Sequence, residues 1–119
     1  MTKTMTIIWR TGSMMAMDAN VATKLASAAV RKGYKVNMFA YGEGITAVKK
    51  GQAPKRFPNV GADLEALAKQ GVAIALCETC YAARGFQRGE EIEGAKVGSL
   101  TNDLFRFVAE SDRLVTVAR

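Results

Sequence analysis

Val72-Ala73-Ile74-Ala75-Leu76, followed at once by Cys77-Glu78-Thr79-Cys80, is the stretch that decides how the chain folds. An unbroken apolar run of this kind, preceded by Gly71, suits a strand buried on both faces. Such strands belong to parallel sheets covered by helices. The run ends in a Cys-x-x-Cys, so two thiols stand at the carboxyl end of that strand. In open α/β sheets, ligands and chemistry collect beyond that end.

Outward from this stretch, strand-like and helix-like segments alternate, the pattern of an α/β fold built on a parallel sheet. Residues 4–10 are β-branched and aromatic and read as the first strand, broken by Thr11-Gly12-Ser13. Asp18 is placed to cap a helix over 19–32 with the stripe Val21, Leu25, Ala28 and Ala29 and with Gly33 as its stop. Residues 35–41 form the second strand, ended by Gly42-Glu43-Gly44, and a short helix over 45–50 follows, ended by Gly51. Residues 52–59 carry Pro54, Lys55, Arg56 and Pro58 and form an exposed basic loop. A helix over 62–70 presents Leu64, Leu67 and Ala68, and Gly71 stops it before the strand over 72–76, taken as the middle strand of the sheet. A single helical turn over 81–84 ends at Gly85, and 87–94 is a polar loop. The fourth strand covers 96–100, Asn102 caps a helix carrying Leu104, Phe105 and Val108, and the fifth strand covers 113–118. Gly12 and Ser13, Tyr41 to Gly44, and Thr101 with Asn102 all follow strands, so they share a rim with the cysteines, and Gly12, Ser13, Tyr41, Thr101 and Asn102 are candidates to support them.

The length of 119 residues suits one domain over 1–119. A hydrophobic share of 49% and a charged share of 24% allow a core without disulfides. No apolar run reaches a membrane span, and the start at Met1-Thr2-Lys3 lacks the features of a secretory signal, so a cytoplasmic protein with no membrane partner is expected. In a reducing compartment a cysteine pair is more often reactive or metal-bound than a permanent staple. The chain has no histidine, which removes Ser-His and Cys-His pairs and His-ligated metals. Two cysteines supply too few ligands for a structural metal unless subunits share it, so neither metal nor organic cofactor is expected.

The net charge of +6 favours acidic partners. The basic residues are scattered and the aromatics fall in strands and helices, without the stacking row of single-strand binders, which argues against nucleic acid. Thr11-Gly12-Ser13 and Tyr41-Gly42-Glu43-Gly44 lack both the dinucleotide fingerprint and the Lys-Ser/Thr of a phosphate loop. Met14, Met15 and Met17 suit the packing of a loop or a surface that adapts to a partner.

A thiol reacts as its thiolate, so its surroundings decide its use. Cys80 near a helix start would gain from free N–H groups, and Arg84, one turn on, would add positive charge. Cys77 at the strand-to-turn junction would meet converging N–H groups. Glu78 would oppose both if it faced the sulfurs. Two sulfurs at this spacing can also form a disulfide or pass sulfur between them.

Cys77-Glu78-Thr79-Cys80-Tyr81-Ala82-Ala83-Arg84-Gly85 resembles the cysteine segment of the DsrE/DsrF-like superfamily, above all its YchN-like branch, in which Cys-x-Thr-Cys precedes Arg-Gly. The resemblance continues in Ala47-Val48-Lys49-Lys50-Gly51-Gln52, in 64–72, in Glu93-Gly94-Ala95-Lys96-Val97-Gly98-Ser99-Leu100 and in Ser111-Asp112-Arg113-Leu114-Val115-Thr116. It implies a three-layer α/β/α sandwich with a five-stranded parallel sheet. It also implies a homo-oligomer, typically a trimer or hexamer, and a role in intracellular sulfur handling. In relay members of the superfamily a cysteine placed before Arg-Gly as Cys77 is before Gly85 carries sulfur as a persulfide. The resemblance therefore makes Cys77 the sulfur-bearing residue and Cys80 the auxiliary one, in exchange with an acidic sulfur-donor or acceptor protein. The alternatives are a non-catalytic oligomeric binding or regulatory protein of the same fold, and a thiol-disulfide redox protein. Against the redox reading, Glu78-Thr79 replace the usual enclosed Gly-Pro and the following helix is short. Light scattering at micromolar protein is expected to return the mass of a homo-oligomer; a monomer mass would refute that expectation.

Overall fold

β1 (Thr4–Trp9) lies between β2 (Lys35–Ala40) and β5 (Arg113–Val117), parallel to both. β2 pairs with β3 (Ala73–Cys77), and β3 with β4 (Ala95–Gly98), giving an all-parallel sheet in the order β4-β3-β2-β1-β5. The computed structural model describes residues 2–14 and 16–117, so Met15 of the methionine cluster and Ala118 of the fifth strand lie outside the described residues. β3 is third along the chain but second from the sheet's edge, and β2 holds the middle, because β5 returns to the far side of β1.

That return gives the sheet its two covers. Parallel crossovers are right-handed, so steps taken in one direction place their helices on one face and a step back places its helix on the other. α1 (Asp18–Arg31) and α2 (Val60–Lys69) pack over Ile7, Trp9, Met38 and Leu76. On the opposite face Phe107 of α4 (Phe105–Glu110) packs with Phe39, Ala75 and Cys77. The result is the three-layer α/β/α sandwich, with one thin layer.

Four local details differ from the sequence pattern. The buried face of α1 is Ala19, Ala22, Ala26 and Ala29, while Val21 is exposed and Leu25 and Ala28 are half-buried. An alanine face lets the helix lie close to the sheet, and the larger side chains are left at its flanks. Asp18 is the first helical residue and accepts a hydrogen bond from Thr11 Oγ1 at 3.0 Å; the cap position is Met17, without a side-chain bond. In α4 the buried residue is Phe107, with Phe105 71% and Val108 37% exposed. The chain enters α4 through a π turn, Leu100–Leu104, which rotates the face presented to the sheet. Its cap is Ser99, whose Oγ accepts from the Asn102 N–H at 2.9 Å, so Asn102 is a donor there and not the cap.

Polar groups fix α4 in place. Thr6 Oγ1 donates to the Phe107 carbonyl at 3.1 Å, and Asn37 Nδ2 donates to Glu110 Oε1 at 2.8 Å. The hydrogen bond from Asn37, together with Lys35, holds the Glu110 carboxyl below its usual range despite partial burial.

The segment between β2 and α2 is a 3-10 helix, Gly42–Val48, which begins three residues before the expected helix. Trp9 sets its position: the buried indole Nε1 donates to the Gly44 carbonyl at 3.0 Å. Gly44 must be glycine there, since a Cβ would stand 2.6 Å from the Trp9 carbonyl oxygen. The loop 52–59 is largely exposed, as expected, and is tied down by Gln52 Nε2, which donates to the Ala47 and Lys49 carbonyls at 2.8 Å each. Gly44→Ala is expected to cost about 1–3 kcal/mol through overpacking against backbone, read as a lower urea midpoint by circular dichroism. An unchanged midpoint would show that the Trp9 contact does not hold this helix.

Candidate functional site

β3 passes into α3 (Glu78–Ala83) with no residue between them. Cys77 is therefore the last residue of the strand and the cap of the helix, and its Sγ accepts the Cys80 N–H at 3.5 Å. Ser, Thr, Asp or Asn normally satisfies these free N–H groups; here a sulfur takes that place. The helix starts earlier than the turn expected over 81–84, which puts Cys80 inside its first turn. Gly85, at φ +81°, ends it.

The two sulfurs lie in different surroundings. Cys77 is 3% exposed and packs with Phe39, Ala75 and Phe107 in the core under α4. Cys80 is half-buried and touches the cores on both sides of the sheet. Its Sγ accepts the Gly42 N–H at 3.3 Å. Gly42 follows β2, and its φ of +60° is a conformation that glycine adopts without a Cβ penalty.

Arg84 joins these two segments. Its Nε and Nη2 both reach Glu43 Oε1, at 2.8 and 2.7 Å, and its Nη1 donates to the Cys80 carbonyl at 2.9 Å. The guanidinium thus clamps the 3-10 helix to α3 and holds the Gly42 N–H beside Cys80. The hydrogen bond to Glu43 keeps Arg84 firmly protonated. Glu78 pairs with Arg88 at the surface. Tyr81 anchors α3 from below: it is buried, packs against Phe86 at 5.2 Å between ring centres, and reaches Glu91 at 3.5 Å. Burial first, and then the nearby Glu91 and Glu90, push its hydroxyl up to about 12.

A helix start alone would lower the Cys80 thiol, and the structure shows the opposite. Burial, followed by the hydrogen bond to the Cys77 sulfur, pushes the thiol up; the Gly42 N–H and the Arg84 charge pull it down without cancelling that rise.

Of the other expected support residues, Tyr41 only precedes the one that makes the contact, Gly42. Gly12 and Ser13 line a groove that Glu43 also borders. Thr101 and Asn102 are exposed on the π turn after β4, and the hydrogen bonds recorded to the sulfurs come from Cys80 and Gly42 instead. Gly42 and Glu43, which the sequence places on the rim as part of a turn, are the residues that make the contacts to Cys80 and Arg84. Their signal was the placement of Gly-Glu-Gly directly after a strand that neighbours β3. Among the described residues no three Cys, Asp or Glu side chains gather as a metal site, and no helix is long and apolar enough to cross a membrane.

An open parallel sheet with a cysteine-capped helix at one strand end defines a class of small α/β proteins. Within it, the chain belongs to the DsrE/DsrF-like family, whose model matches residues 3–117. It is similar to the uncharacterized protein MJ0989 of Methanocaldococcus jannaschii, with 37% identity over 95 residues, 80% of this chain and 82% of that protein. It is also similar to the protein YchN of Escherichia coli K12, with 31% identity over 81 residues, 68% of each chain. The crystal structure of the E. coli ychN protein superimposes with a TM-score of 0.87 at 25% identity, over 98% of this chain and 99% of that one. These likenesses place the chain in the YchN-like branch. MTH1491 of Methanobacterium thermoautotrophicum, a protein of unknown function, shares the fold with a TM-score of 0.68 at 19% identity, over 98% of this chain and 99% of that one.

The raised Cys80 thiol has consequences for alkylation and for stability. Iodoacetamide labelling of Cys80 is expected to rise with pH through a midpoint above that of an ordinary cysteine. Cys77→Ala removes the sulfur whose hydrogen bond raises Cys80 and should lower the midpoint; Arg84→Gln should raise it. Because the folded thiol loses its proton later than the unfolded one, stability should decline as pH rises past the ordinary thiol value. Shifts in the same direction for both variants would contradict these surroundings.

Proposed function

We propose that this chain is an intracellular persulfide carrier, acting in the cytoplasm, where thiols stay reduced. The observation that carries this reading is the pair of thiols at the β3–α3 junction, each sulfur receiving a backbone N–H. Such groups stabilise a sulfur anion without a metal. Membership in the DsrE/DsrF-like family supports the same reading, because the family resemblance implies sulfur handling.

The resemblance assigns the stored sulfur to Cys77, but burial of Cys77 makes Cys80 the sulfur an external donor meets first. In our proposal the Cys80 thiolate attacks the outer sulfur of a donor persulfide. A new S–S bond forms at Cys80, the donor's S–S bond breaks, and the donor leaves as a thiol carrying the proton that Cys80 lost. An acceptor thiolate then removes the outer sulfur and restores Cys80. With no acceptor, Cys77 attacks Cys80 Sγ, a Cys77–Cys80 disulfide forms and hydrosulfide leaves. In the second branch the outer sulfur takes up the two electrons and leaves as hydrosulfide, so neither branch needs an external oxidant.

The carrier is proposed to work as a homo-oligomer. Leu100, Phe105, Val108 and Leu114 are exposed on α4, the turn before it and β5, and a second copy would cover such a surface. A second reading, an oligomeric binding or regulatory protein without catalysis, draws on the raised Cys80 thiol, which is not activated in the resting chain.

Intact mass spectrometry after incubation with cysteine persulfide tests the proposal. Wild type and Cys77→Ala are expected to gain one sulfur atom, and Cys77→Ala should retain it longer because it cannot release hydrosulfide. Cys80→Ser should gain none. Loading of Cys80→Ser with an inert Cys77→Ala would return the carrier role to Cys77. Inertness of the wild type would leave the binding-protein reading.

A further inference from the structure

Beside the cysteine turn runs a groove of about 500 Å³ that the sulfur chemistry above does not use. Its walls are mostly apolar, with Met14, Ala53, Pro54, Pro58 and Phe86 among the lining residues. It continues into a second depression of about 280 Å³ through the shared Ser13, Met14 and Pro58, where Met17 and Phe57 also line the wall. Met14 and Phe57 are each 64% exposed. A polar surface would be the ordinary choice around a basic loop; an apolar trough there marks a contact.

Charge identifies the occupant. Lys49 lines the groove, and Lys55 and Arg56 are exposed in the same loop as Pro54 and Pro58. The one carboxylate among the lining residues named for the groove, Glu43, already bonds Arg84 at 2.7 Å. The trough is open-sided, which suits a segment of chain better than an enclosed small molecule. A second copy of this chain would oppose its own basic loop to this one and meet like charge. A nucleic acid would leave the apolar wall without use, since Phe86, the aromatic ring of the main groove, packs on Tyr81.

We propose that this groove docks an acidic segment with apolar side chains, belonging to the protein that exchanges sulfur with Cys80; the proposal rests on the carrier reading. Glu43 belongs both to the groove wall and to the clamp on Arg84, whose Nη1 bonds the Cys80 carbonyl. A segment lying in the groove therefore ends at the residue that holds the cysteine turn. Exposed methionines suit such a surface because they adapt to varied apolar side chains.

Two sulfur donors separate the docking site from the chemistry. One is glutathione persulfide; the other is a short peptide persulfide whose cysteine is flanked by Asp, Glu, Leu and Phe. Wild type is expected to load from the peptide about tenfold faster at low salt, as read by intact mass. That advantage should vanish in Lys55→Glu/Arg56→Glu and, without any change of charge, in Phe57→Ser, while glutathione persulfide loads all three proteins equally. Both variants alter exposed side chains, and unchanged thermal melting will show that they fold. An advantage that survives in both variants, or that a basic peptide persulfide matches, overturns the docking site and leaves the carrier intact. Inertness toward both donors overturns the carrier reading and the proposal with it. Two further measurements can also overturn it. Fluorescence anisotropy with the serine form of the peptide should show binding that a short single-stranded oligonucleotide does not displace; displacement would reassign the groove to nucleic acid. Light scattering should give the same mass for wild type and Phe57→Ser; a smaller mass for the variant would make the groove a contact between copies.

Discussion

Cys77 Sγ accepts the Cys80 N–H at 3.5 Å, and this one contact fixes the relation of strand, helix and sulfur. A helix needs an acceptor for its first N–H groups. When the residue that supplies it is also the last residue of a strand, the helix has no linker in which to reorient. α3 must therefore leave the sheet at the end of β3, with its first turn over β2's end, where Gly42 offers its N–H to Cys80. A conventional oxygen cap would satisfy α3 equally well. The cap does not by itself require a sulfur at this position.

The clamp and the turn depend on each other. Gly42 can aim its N–H at Cys80 because the 3-10 helix behind it is set by the Trp9–Gly44 bond and the Glu43–Arg84 pair. The first is buried and belongs to the core. The second is partly exposed, so solvent screens it and its energetic contribution is small. Its role lies in position: three donor groups of one guanidinium bind two segments that no continuous backbone joins at this point.

The sequence carried the fold well because its signals were local. The apolar run before Cys77, the glycines at positive φ after α1, α2 and α3 and the alternation of segments do not depend on what lies across the sheet. Strand order was less legible. Nothing between Ser111 and Arg113 announces that β5 crosses back past β1, so β3 was placed centrally when it stands one strand from the edge. Helix faces failed where the larger residue was assumed to be the buried one: α1 buries alanines, and the π turn before α4 hides Phe107 in place of Phe105. At the site, the two cysteines and Arg84 were legible as chemistry. Glu43 was not, because its bond to Arg84 spans a sequence separation of 41, a relation that exists only once β2 and β3 are neighbours.

A thiol kept protonated by burial is a poor nucleophile on its own, yet its neighbours are arranged for an anion. The two facts agree if the anion of interest is a persulfide. The terminal sulfur of a persulfide loses its proton more readily than a thiol, because the adjoining sulfur shares the charge. It also extends one bond further from the apolar core that raises Cys80. In the carrier proposed above, the resting thiol would be slow toward stray electrophiles, and loading would create the charge that the Gly42 N–H and Arg84 stand beside. On the docking proposal, the basic lips of the trough that attract an acidic donor stand next to Glu43, whose partner Arg84 bonds the Cys80 carbonyl.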